Sequence, residues 1–253
     1  MAIAFTLRTS MRRGLLENSQ IFFKDTSVRN LCEYVSKKTS RISHESFKKL
    51  ALYSEGYLKK NIDKIACQEN ESGFLRIGIP LNEEKKNEYP GLEKLRVNYW
   101  SQLVKIEIVP ESIHTHPGYF ESFIITGGYQ HALYNIGSNK DELHDCYRIL
   151  KQGARRTMAF MGKVPIVFSK MEVVRAGEIK AIHLDLIHRV VETMPNTLSL
   201  NAVWREESRD YYDLFLTESA SPEDDVRTER ALLSNQDSRI IIKNIINSLT
   251  TIN

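Results

Sequence analysis

The sequence predicts a mainly β protein, an antiparallel sandwich or barrel with a helical extension at each end. Three observations carry that prediction. Short apolar runs between about residues 74 and 204 are separated by turn signals about every ten residues. Leu103-Val104-Lys105-Ile106-Glu107-Ile108-Val109 alternates apolar and polar over most of its length, the pattern of a half-buried strand. On both sides of this region the apolar residues recur at helical spacing instead.

In chain order, residues 1–20 show no clear periodicity. Asp25-Thr26-Ser27 offers short polar side chains to the free amides of a first helical turn, and Val28, Leu31, Cys32 and Val35 follow at helical spacing. Ser43 opens a longer helix, although Ser46 stands where a capping box needs a long acid or amide. Phe47, Leu50, Ala51, Leu58, Ile62 and Ile65 mark its apolar face to about residue 66. This helical quarter is expected to pack against the β domain. After the polar linker Glu69-Asn70-Glu71-Ser72-Gly73, Phe74–Pro80 reads as a strand stopped by proline. Glu83–Pro90 reads as a charged loop, and the pattern is β from Leu95 onward. Phe120–Thr126 and Tyr129–Ile136 are strands, ended by Gly127-Gly128 and Gly137-Ser138-Asn139. Residues 140–163 look irregular and basic, with Lys151 to Arg156 read as a solvated loop. Val164–Phe168, Met171–Val174, Ile182–Val191 and Leu198–Trp204 are further strands, with a turn at Ala176-Gly177-Glu178. Beyond Tyr211–Phe215, Ser221-Pro222 followed by three acids is a strong helix start. Ile241, Ile242, Ile245, Ile246 and Leu249 form the stripe of a final helix. The plan is therefore a helical extension over 1–72, a β domain over 73–216 and a second helical extension over 217–253.

Composition narrows the function classes. The chain has 253 residues, 42% hydrophobic and 26% charged, ordinary values for one large globular domain. A net charge of +3, with Lys and Arg scattered among Asp and Glu, argues against a nucleic-acid partner. No run approaches the roughly 18 apolar residues of a membrane span, and no secretory signal is evident. Three well-separated cysteines, Cys32, Cys67 and Cys146, fit a reducing compartment and argue against a disulfide framework. A cytoplasmic location is expected.

The chemistry concentrates in one stretch, His114-Thr115-His116-Pro117-Gly118-Tyr119-Phe120-Glu121. Residues two apart on a strand face the same side, so His114 and His116 can aim both imidazoles at one point. Imidazole is the commonest metal-ligating side chain. Six of the seven histidines lie between residues 114 and 188, which supplies further donors.

This stretch, His114-x-His116-x4-Glu121-x6-Gly128, resembles the first motif of the cupin superfamily, G-x5-H-x-H-x3,4-E-x6-G. The second cupin motif, G-x5-P-x-G-x2-H-x3-N, aligns with Gly177-x5-His183-x-Asp185-x2-His188-x3-Glu192. Ile108 replaces the first glycine of motif one. His183, Asp185 and Glu192 replace the proline, second glycine and asparagine of motif two. The resemblance runs from Leu95 to Arg205. It implies a double-stranded β-helix, the cupin jelly roll, with a metal held by His114, His116 and His188, and with Glu121 as the carboxylate. The segment from Ile182 to Val203 is further similar to the third-ligand region of cysteine dioxygenase-type thiol dioxygenases, which bind Fe(II) through three histidines. The run from His116 to Tyr129 resembles a group of small bacterial and phage cupins, which need not keep an acid at the position of Glu121. The resemblance thus implies Fe(II), with Mn, Ni or Zn suiting the same donors. It implies O2 and a small-molecule substrate such as a thiol as partners, and a second copy of the chain, cupins often being dimers. A metal-bound isomerase or lyase, or a non-catalytic cupin used for ligand sensing or protein contact, remains open.

Individual residues carry alternatives. Glu121 is either a ligand or an acceptor that fixes an imidazole tautomer from behind. His183 is a candidate for substrate contact or for support of a ligand. Arg189 offers a planar fork to an anionic substrate, or pairs with Glu192. Tyr129, Tyr134 and Trp204 are expected in the core, and Cys146 as an inert buried thiol.

Overall fold

The computed structural model describes residues 40–69, 73–101, 112–138, 143–152, 155–217 and 232–252, with the backbone alone at 151–152, 155–156 and 206–208. The helix expected from Asp25, the strand expected over Leu103–Val109 and the helix start at Ser221 lie outside the described residues.

Helix α1 (His44–Asn61) starts where Ser43 predicts: its hydroxyl accepts the amide of Ser46 at 3.1 Å. Phe47, Leu50, Ala51 and Leu58 are buried on one face. The helix closes at Asn61, short of residue 66, and a turn follows in which the Asn61 carbonyl accepts the amides of Lys64 and Ile65. Strands β1 (Gln68–Glu69) and β2 (Leu75–Ile79) follow. The expected charged loop at Glu83–Pro90 is instead a short helix, α2 (Glu83–Glu88). Asn82 caps it by accepting the amide of Lys85 at 3.0 Å, and Lys86 pairs with Glu83 at 2.6 Å. It buries no side chain, so no apolar period announces it in the sequence.

Strand β3 (Leu92–Trp100) leads through β4 (Ile113–His114) into β5 (Gly118–Thr126) and β6 (Gly128–Ile136). Gly127, at φ +72, permits the sharp reversal between the last two, and Gly128 lets β6 lie close to β8, since a Cβ there would stand 2.4 Å from the Val174 carbonyl oxygen. Within the stretch expected to be irregular, 140–163, the described residues belong to two paired antiparallel strands, β7 (Leu143–Gln152) and β8 (Arg155–Arg175). The two runs expected as separate strands at 164–168 and 171–174 are one strand. A bulge takes up Ser169, since Phe168 pairs with Tyr134 and Lys170 with Leu133. The strand expected over Ile182–Val191 is two, β9 (Ile179–Ile182) and β10 (Ile187–Thr193), separated by a turn in which Leu186 N–H donates to the His183 carbonyl. Strands β11 (Thr197–Ser208) and β12 (Tyr211–Leu216) complete the β region, and α3 (Asn235–Thr250) ends the described chain.

The strands form two antiparallel sheets. One is open, in the order β1-β2-β3-β11-β5-β9; the other, β10-β4-β12-β7-β8-β6, closes on itself through β6 and β10. In the open sheet, Leu75, Ile77 and Ile79, Leu95, Val97 and Tyr99, and Leu198, Leu200 and Ala202 share one face. They join Phe47, Leu50, Ile241, Ile245 and Leu249 from α1 and α3 in a single core. The stripe predicted for the final helix is thus the lid of this face. Each fully buried Leu, Ile, Val or Phe among them contributes about 1.5–3 kcal/mol. In the closed sheet, every strand contributes to a second core of Ile113, Ala132, Tyr134, Cys146, Val164, Ile166, Ile187 and Phe215. The fold is mainly β, as the strand spacing predicts. Among the described residues no helix is long and apolar enough to cross a membrane.

Candidate metal centre

The inner side of the open sheet is polar, because period-two alternation that sends Leu and Val outward sends their neighbours inward. Ser122, Ser199 and Asn201 are buried there, and the Asn201 amide donates to Ser199 Oγ at 3.1 Å. Facing this side, β4 is a two-residue strand held between β10 and β12, with His114 directly opposite both His188 and Leu214. Thr115 anchors it: its amide donates to the Asp213 carbonyl and its hydroxyl accepts the Asp213 amide, both at 2.9 Å. His116 N–H donates to the Leu184 carbonyl in the turn before β10 at 3.3 Å.

These ties bring His114, His116 and His188 together. Their ring centroids are 4.7, 4.7 and 4.8 Å apart, and one ligating nitrogen from each lies within 4.8 Å of the others. His114 Nδ1–H donates to the Ser112 carbonyl at 2.8 Å, which leaves the lone pair on Nε2. His188 is 4% exposed, its Nδ1 bonds to His131 Nε2, and its own Nε2 is buried without a hydrogen-bond partner. An orphaned, buried acceptor beside two more imidazoles fits a metal. Burial, the neighbouring imidazole and the charges of Arg76 and Arg96 hold His116 well below the usual histidine range. Burial first, then the imidazole neighbours and Lys180, does the same for His188. Both rings are therefore neutral near pH 7, the form that ligates.

Glu121 is not with them. Pro117-Gly118 interrupts the chain, and when β5 resumes it is Phe120 that faces the site, its ring 4.7 Å from that of His116. Glu121 points to the opposite side, fully buried. There it accepts the amides of Arg41 and Ile42, and Tyr119 OH at 2.6 Å. It stands as a structural acceptor, not as a ligand. His183, also expected near the ligands, lies in the turn after β9 and packs on Tyr119 at 4.8 Å between ring centroids, on Glu121's side. Arg189 follows His188 on the strand and so faces away, its guanidinium 5.9 Å from the Tyr134 ring centre. The alternative partner, Glu192, accepts instead from the Gln130 amide at 2.9 Å. Tyr129, Tyr134 and Trp204 are buried as expected. Burial raises the Cys67 thiol to about 11 and the Cys146 thiol to about 12, so both are inert near neutral pH.

Two residues escaped the sequence reading. His131, 1% exposed, bonds directly to His188. Burial holds its own ring neutral, lowering it to about 3. Arg209 donates to Thr115 Oγ1, to the Leu184 carbonyl and to Asp185 at 2.8–2.9 Å, so one guanidinium joins both segments that carry the triad. The histidine clustering was a signal for the first; nothing in sequence spacing marks the second.

No family model and no curated protein sequence matches the chain. A crystal structure of FlgL from Xanthomonas campestris aligns over 100% of this chain and 90% of its own at 12% identity, with a TM-score of 0.12. At that score the two folds share no likeness from which to argue.

Proposed function

We propose that this chain is a metal-dependent protein of the cupin type, its two sheets making a double-stranded β-helix, and that it adds O2 to a small thiol. His114, His116 and His188 would hold one non-haem Fe(II). The observation that carries this reading is the convergence of three imidazoles with His188 Nε2 left as an orphaned, buried acceptor. Motif spacing supports the same three residues from sequence alone. When bound, such a metal supplies O2 activation and a Lewis-acid contact for the substrate. The chain's own part is positional and electrostatic. The Ser112 carbonyl fixes the His114 tautomer. Phe120 packs edge-on against His116 and covers one side of it. The positive charges of Arg76 and Arg96, felt at His116, favour an anionic group such as a thiolate on that side. A reducing cytoplasmic setting belongs to the same proposal and would keep the buried thiols as thiols.

The test is anaerobic purification, metal analysis and O2 uptake with a panel of thiols. Near-stoichiometric iron, with thiol-dependent O2 uptake that His188→Ala abolishes, is the expected result. Bound metal without O2 uptake would remove the dioxygenase and favour an isomerase or lyase at the same centre. Wild-type protein that takes up no divalent metal would sink the metal reading and leave sensing or protein contact.

A further inference from the structure

We infer that His131 is a positioning residue for the metal centre: its imidazole fixes the tautomer of His188 and so sets how tightly the site binds a cation. This rests on the metal reading above and deepens it.

His131 Nδ1 and His188 Nε2 are both buried without a hydrogen-bond partner, so ligation by His188 is what selects the tautomers. For His188 to ligate through Nε2, that nitrogen must carry a lone pair, so its proton sits on Nδ1. The atom facing Nδ1 is His131 Nε2, which must then be the acceptor. His131 in turn carries its own proton on Nδ1. The opposite assignment, with His131 donating, would put a proton on His188 Nε2 and block the site. His131 reaches this place through the strand register. Leu133 on β6 pairs directly with His188 on β10, and His131, two residues away, shares its face. The Tyr129 ring packs edge-on against His131, with centroids 5.9 Å apart, and limits its rotation.

The support is also unusual in kind. Metal-bound histidines commonly lean on a carboxylate or a carbonyl. A neutral imidazole is a weaker acceptor than a carboxylate, so it orients His188 without adding negative charge to the centre.

Two variants separate orientation from packing. In His131→Gln the amide oxygen stands about where Nε2 stood and can still accept from His188 Nδ1. In His131→Leu the volume is kept and the acceptor is lost. Zn(II) and Co(II) affinities are measured by competition with a chelator, with thermal melts of the metal-free proteins as the control for folding. His131→Leu is expected to bind about 10–100-fold more weakly than wild type, and His131→Gln within about threefold of it. The His188 tautomer is read in the metal-free proteins from imidazole nitrogen shifts by NMR. Wild type and His131→Gln should carry the proton on Nδ1, while His131→Leu should move toward the Nε2 form. Wild-type affinity in His131→Leu, or an unchanged tautomer there, overturns the inference. Wild-type protein that binds neither cation defeats the metal reading, and the NMR comparison still decides the role of His131.

Discussion

Glu121 is fully buried, and a carboxylate in that position is tolerable only because three donors face it. Two of them, the amides of Arg41 and Ile42, come from the segment that enters α1, 80 and 79 residues away in sequence. The third, Tyr119 OH, is two residues away on the same strand face. The side chain therefore ties the start of the N-terminal helix to the open sheet. Glu121→Gln keeps the shape but turns an amide NH2 toward groups that are themselves donors. It should cost about 1.5–3 kcal/mol in urea denaturation. Metal affinity should stay at the wild-type value, since the carboxylate faces away from the triad. A variant that stays as stable as wild type but loses its metal would return Glu121 to the ligand set. Sequence spacing alone could not make this distinction, because Pro117-Gly118 destroys the strand phase between His116 and Glu121.

At the level of elements, the centre depends on two short segments, β4 and the turn from His183 to Leu186, neither of which has much structure of its own. Arg209 joins them through Thr115 and the Leu184 carbonyl. Arg209→Met keeps much of the aliphatic stem and removes the donors. It is expected to cost about 1–3 kcal/mol of stability and to weaken Zn(II) binding about tenfold by loosening His116 and His188 together. Chelator competition and urea denaturation measure the two effects; unchanged metal binding would show that the turn holds its geometry without the clamp. Most elements could be read in the sequence where apolar period and turn residues agree. β2, β5, β6, β11 and α3 are such cases. The β7–β8 pair was not legible, because its basic residues mask the alternation and a bulge at Met161 shifts the phase midway. α2 was not legible because it rests on a cap and ion pairs and buries nothing. Of the centre, His114 and His116 could be read from their spacing, and His188 only from the resemblance of its segment to the second cupin motif. Their supports could not: Ser112 acts through its backbone carbonyl, which any residue would supply, and His131 and Arg209 act through tertiary contacts that leave no periodic trace.

Across the whole molecule, the open sheet separates two tasks. Its outer face, with α1 and α3, holds a large apolar core, while its inner face is polar and looks toward the triad. The two sets of side chains alternate along the same strands, so a change on one face need not be felt on the other. Ile245 of α3 is fully buried in the outer core. Ile245→Ala should therefore lower the unfolding free energy by about 2–5 kcal/mol, the range for a large-to-small change whose cavity closes only partly. It should leave Zn(II) affinity within about twofold of wild type below the unfolding transition. His188→Ala should do the reverse. It removes a ligand, but in the metal-free protein it also removes a buried polar atom that has no partner, so the loss of metal should exceed any loss of apo stability. Parallel urea titrations and metal titrations of the two variants test this separation. If Ile245→Ala disturbs the metal centre as strongly as it disturbs the fold, the sheet transmits strain between its faces and the two tasks are coupled.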